Sequence, residues 1–64
     1  MYGTALMPRH AVVPGMMIKY KGKYWRASAN IAKGLYAMTP SEVTKITSNV
    51  IEVMLNKRGL PLIN

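Results

Sequence analysis

Residues 39–59 read TPSEVTKITSNVIEVMLNKRG, and two incompatible backbones fit them. The first is a helix. Thr39 stands as N-cap, Pro40 at the first helical position and Glu42 three residues after the cap, the pattern of a capping box. At about 100° per residue, Val43, Ile46, Val50, Val53 and Met54 share one side with Thr47, Ile51 and Leu55. Glu42, Lys45, Ser48, Asn49, Glu52 and Asn56 occupy the other side. Lys57 and Arg58 suit the negative end of the helix dipole, Gly59 suits a left-handed cap, and Pro61 follows. Caps at both ends agree with the wheel, so a helix is expected over about 40–57.

The second backbone is a pair of strands. Val43, Thr44, Ile46, Thr47, Val50, Ile51 and Val53 are β-branched, and Ser48-Asn49 could turn a corner between them. With the strands expected upstream, this alternative gives a small five- or six-stranded barrel of the Src-homology type. GLYAMTPSEVTKI, residues 34–46, resembles the end of such a domain, where a tight turn precedes the last strand.

Upstream, KYKGKYWRASANIAKGLY, residues 19–36, carries Lys-Gly corners at 21–22 and 33–34. Glycine at the second position of a two-residue loop supplies positive φ without a Cβ clash. Around the first corner Tyr20 then faces Lys23, Lys19 faces Tyr24, Ile18 faces Trp25 and Met17 faces Arg26. Around the second, Ala32 faces Leu35, Ile31 faces Tyr36, Asn30 faces Ala37 and Ala29 faces Met38. Alternate pairs fall on opposite sides of the ribbon. One side collects Met16, Ile18, Trp25, Ala27, Ala29, Ile31, Tyr36 and Met38. The other collects Met17, Lys19, Tyr24, Arg26, Ser28, Asn30, Leu35 and Ala37.

The expected fold is therefore α+β: a three-stranded antiparallel meander over about 16–38, backed by the C-terminal helix. Residues 1–15 form an N-terminal arm, 16–64 one small domain, and LPLIN is a candidate extra strand. With the helix on Trp25 and its neighbours, the opposite sheet side has nothing in the chain to cover it.

Charge suggests what meets that side. Nine Lys and Arg against two acidic residues leave a formal +7 on 64 residues, a density that attracts polyanions. Lys19, Lys21, Lys23 and Lys33 offer cationic heads to phosphates. Arg26 can hold guanine bidentately, Asn30 can do likewise with adenine, Ser28 can reach base edges and Tyr24 can stack. Blander readings stand beside these: lysines on hairpin corners serve solubility, and Trp25, opposite Ile18, belongs to the core.

Three strands, Trp25-Arg26-Ala27 in the second, Thr39-Pro40-Ser41-Glu42 opening a helix and Arg58-Gly59 before Leu62-Ile63-Asn64 are similar to the plant ethylene-response-factor domain. The arm-binding domain of tyrosine recombinases resembles it in plan. The resemblance implies double-stranded DNA recognition through the sheet, here by a small basic accessory or regulatory factor of a phage or mobile element.

The other function class is a structural or adaptor subunit, such as a virion component or an inhibitor of a larger host protein. It would bind protein, or a second copy of itself, through the apolar arm and the methionines. Half the residues are hydrophobic and six are methionine, a side chain suited to adaptable contacts.

Catalysis fits poorly. Glu42 and Glu52 are ten residues apart, about 15 Å along a helix, and no glycine-rich phosphate loop is present. His10 is the one histidine and cysteine is absent, so no metal, cofactor or small-molecule substrate is expected. Pro8, Arg9 and His10 break the opening apolar run, unlike a secretory signal, and no stretch approaches membrane-spanning length. The expected setting is the reducing cytoplasm.

Overall fold

The computed structural model describes residues 2–63. It contains six strands: β1 (Thr4–Pro8), β2 (Met17–Tyr20), β3 (Lys23–Ile31), β4 (Gly34–Met38), β5 (Val43–Ile46) and β6 (Val50–Met54). They form one sheet in the order β1-β6-β2-β3-β4-β5, antiparallel at every step. A single 3-10 turn, Arg9–Ala11, follows β1. Among the described residues there is no α-helix, so the meander-plus-helix expectation is corrected to an all-β fold.

The correction lies in residues 39–59, where each helix signal has a second meaning. Thr39 Oγ1 accepts from the backbone N–H groups of Ser41 (3.3 Å) and Glu42 (3.0 Å), as an N-cap hydroxyl would. The Thr39 N–H, however, donates to the Glu42 carbonyl at 2.9 Å, which closes a turn and sends the chain back along β4. At the other end Asn56 Oδ1 accepts from the N–H groups of Arg58 and Leu60, and Gly59 adopts φ 78°. That too is a reversal, the turn between β6 and the tail. Between the two, β-branched side chains with restricted χ1 favour pleated strands. Ile46, Ile51 and Val53 point into the core from β5 and β6, as they would have from a helix wheel.

The first hairpin pairs as the Lys21-Gly22 corner implies: Met17 with Arg26, Ile18 with Trp25, Lys19 with Tyr24 and Tyr20 with Lys23. Lys21 (φ 50°) and Gly22 (φ 76°) both take left-handed backbone, the geometry of a type I′ turn. The second hairpin departs from its expected register. Ala32 and Lys33, rather than Lys33 and Gly34, form the corner, since Ile31 pairs with Gly34. Farther along, Ala29 pairs with Tyr36 but Ala27 pairs with Ala37, leaving Ser28 as an extra residue in a β-bulge. The bulge changes the phase of alternation. Leu35 and Ala37 turn inward, each 0% exposed, while Tyr36 and Met38 turn outward and are half-buried.

The inner side chains of all the strands but β1 meet in one cluster: Ile18, Trp25, Ala27, Leu35, Ala37, Ile46, Ile51 and Val53, with Val12 and Met16 from the β1–β2 connection and Met7 of β1 packed against it. To gather them the sheet must curl. Laid flat, three inter-strand spacings would part β1 from β3 by about 14 Å. Yet Arg9, just past β1, reaches Asn30 on β3 at 3.1 Å. The curl, rather than a helix, covers the apolar side of the meander. The tail completes one end: Leu62 donates to the Met54 carbonyl and accepts from the Met17 N–H, both at 2.8 Å, so it wedges between β6 and β2.

Candidate functional site

The convex face of the curled sheet is built by the residues that alternate with the core. One lateral row crosses four strands: Met17 on β2, Arg26 on β3, Met38 on β4 and Val43 on β5, each the cross-strand neighbour of the next. Lys19 and Tyr24 pair on one side of this row. Ala29, Tyr36 and Lys45 cross the sheet on the other. Tyr24 is 48% exposed and Val43 69%, large apolar surfaces that no segment of the described chain covers. Met17, Tyr24, Arg26, Met38, Thr39 and Pro40 line an open depression of about 340 Å³. The turn that replaces the helix start supplies Thr39 and Pro40, so the same local geometry that reverses the chain also walls this depression.

Arg26 sits at the centre. Its guanidinium Nη2 lies 3.9 Å from Met38 Sδ, a weak acceptor. Neither glutamate is paired with Arg26, and Glu52 stands across from Lys19 on the same face. Glu42 pairs with Lys23, and Glu52 accepts from Thr4 Oγ1 at 2.7 Å. Among the described residues Lys23–Glu42 is the one ion pair.

The residues expected to contact DNA are distributed unevenly. Lys19, Tyr24 and Arg26 come together on the convex face. Lys21 and Lys23 lie at the first corner, where their ammonium groups stand 5.4 Å from the Tyr20 ring and 5.8 Å from the Trp25 ring. Lys33 lies at the second corner, at the opposite end of nine-residue β3, about 26 Å away. Ser28 is the bulge residue. Asn30 is turned into the fold: its amide nitrogen donates to the carbonyls of Arg9 (2.6 Å) and Val12 (2.9 Å), and its oxygen accepts from Arg9 Nη1. No amide hydrogen is left for a base edge.

Residues absent from the expected set matter as much. Unbroken alternation puts Tyr36 and Met38 on the covered side, and the helix wheel puts Val43 in its buried stripe. The bulge at Ser28 and the turn at Thr39 place all three outside, and nothing in the amino-acid pattern marks Ser28 as a bulge. The face is therefore more apolar than the unbroken alternation implied. Among the described residues no group of three His, Cys, Asp or Glu stands close enough to hold a metal ion.

Compared with known families, residues 2–54 match the family model described as the KilR SH3-type barrel domain. No curated protein and no solved structure matches the chain. The family match and the all-β sheet overturn the resemblance to the ethylene-response-factor and arm-binding domains. With it falls the double-stranded DNA partner and the DNA-binding regulatory role, which depended on a helix-backed sheet with a cationic open side.

Proposed function

Because the chain belongs to the KilR SH3-type barrel domain family, whose model covers 53 of its 64 residues, we propose that it is a protein-docking module that holds a larger partner on its convex sheet face. SH3-type barrel domains are characteristically non-catalytic interaction modules. The observation that carries the reading is the row Met17–Arg26–Met38–Val43 with Tyr24 and Pro40 beside it, an apolar strip around one arginine. Tyrosine, methionine and arginine are the side chains enriched at protein interfaces, and they cluster here. Met7, Met16 and Met54 pack inward, so of the described methionines it is Met17 and Met38 that serve contact. The N-terminal residues contribute differently from a free arm: β1 is hydrogen-bonded to β6, with Leu6 outward at the far edge of the face.

A photo-crosslinking amino acid placed at Tyr24, and separately at Lys33, tests the reading in cells expressing the protein. Position 24 is expected to yield a discrete protein adduct that Met38→Asp abolishes, and position 33 none. Equal adducts from both positions would refute a docking face at this location.

A further inference from the structure

We infer that the partner segment seated on this face is acidic and apolar, with a carboxylate that anchors on Arg26. The inference rests on the docking face proposed above and specifies its occupant. Its physical basis is the position of Arg26 within the row. Met17 and Met38 are its two cross-strand neighbours, and Tyr24 and Pro40 line the same depression. A partner that covers these apolar groups covers the guanidinium with them. Removing an arginine from water with only a thioether to accept its hydrogen bonds is strongly unfavourable. Among the described residues no carboxylate side chain is paired with Arg26: Glu42 pairs with Lys23, and Glu52, the cross-strand neighbour of Lys19, accepts from Thr4. The partner must therefore bring the acceptor. A carboxylate fits best, since it meets the planar guanidinium with two parallel bonds that strengthen as the surroundings dry out.

Charge elsewhere selects the same partner. Lys45 flanks the row on one side and Lys19, with Glu52 opposite it, on the other, and the chain as a whole carries +7. A second copy of this chain is a poor occupant: a two-fold interface on this face would set Arg26 against Arg26 and +7 against +7. An acidic segment with large apolar side chains next to its carboxylate satisfies both the depression and the field.

A random-peptide library displayed on phage and panned on the immobilised domain tests this directly. Selected sequences are expected to carry Asp or Glu beside leucine, phenylalanine or similar side chains. Panning on Arg26→Met, which keeps the apolar surface, is expected to lose the acidic preference and keep the apolar one. A selected peptide and its Glu→Gln counterpart, compared by fluorescence anisotropy, should differ by roughly tenfold in affinity, the scale of one charge-assisted contact. If selected peptides are not enriched in acids, or the Gln peptide binds as tightly while Met38→Asp still abolishes binding, the carboxylate anchor is overturned and the docking face stands. If no peptide is selected, or Met38→Asp leaves binding unchanged, the docking face fails and the anchor fails with it.

Discussion

Asn30 and Arg9 clasp each other in both directions: Arg9 Nη1 donates to Asn30 Oδ1 at 3.1 Å, and Asn30 Nδ2 donates to the Arg9 carbonyl at 2.6 Å. The second amide hydrogen of Asn30 goes to the Val12 carbonyl at 2.9 Å. Through these bonds one side chain of β3 holds the whole connection after β1, and so helps keep the sheet curled. Replacing Asn30 by Ala takes the donor from the Val12 carbonyl, while the Arg9 carbonyl keeps the Val12 N–H and Arg9 Nη1 keeps the Ile31 carbonyl, and is expected to lower stability by about 1–3 kcal/mol. Arg9→Ala should be milder. Arg9 Nε is itself buried without a partner, so truncation removes a penalty together with the bonds. Urea unfolding of both single variants and the double variant measures the ranking. Additive losses would show that the two side chains do not act as a pair.

The first hairpin corner offers a gain rather than a loss. Lys21 takes φ 50°, a backbone that strains most side chains but suits asparagine, and Gly22 follows it at φ 76°. Lys21→Asn is expected to raise stability by about 0.5 kcal/mol, the relief of backbone strain being partly offset by loss of the ammonium stacked 5.4 Å from the Tyr20 ring. A thermal melt that shows no increase would mean that the lysine contact outweighs the strain.

That corner was also the most legible feature of the sequence. A glycine corner sets its own register, and chemical sorting of the flanking residues agrees with it, so Ile18 opposite Trp25 is readable from residue order alone. Two kinds of information were not legible. A hydroxyl that caps an N–H three residues on is a local device, and Thr39 makes that bond whether a helix or a reversal follows. The choice between them was made by β-branched residues closing a non-local core, which cap signals do not report. Ser28 is the second case. A bulge arises from how two strands fit together, so alternation inside one strand cannot reveal it. On the candidate face, the outward placement of Arg26 and Tyr24 is legible in the alternation, whereas the internal bonds of Asn30 and the outward turn of Met38 and Val43 are not.

Gly34 makes a further claim on the second hairpin. It adopts φ 154°, and a Cβ there would stand 3.1 Å from the Ile46 carbonyl oxygen and 3.1 Å from Lys45 Cγ. The lysine can move, but the carbonyl belongs to the backbone of β5. Gly34→Ala should therefore separate β4 from β5 at the sheet's edge and lower stability by about 1 kcal/mol or more. Hydrogen exchange would locate the effect: amides of β4 and β5 are expected to lose protection ahead of those of β2 and β3. Unchanged exchange along β5 would show that the close approach is not limiting.

The phase change at Ser28 has the sharpest consequence, because it reverses which of two neighbouring side chains the fold depends on. Unbroken alternation would put Met38 in the core and Leu35 outside, whereas the bulged register leaves Leu35 0% exposed and Met38 on the convex face. Leu35→Ala is expected to lower stability by about 2–5 kcal/mol, the range for a buried leucine whose cavity does not collapse. Met38→Ala should lose no more than about 1 kcal/mol, since the side chain already meets solvent on one side. Chemical denaturation of the two variants with equal slopes decides the matter. A larger loss at Met38 than at Leu35 would place the bulge elsewhere on β3, move the apolar row off the convex face and remove the surface on which docking depends.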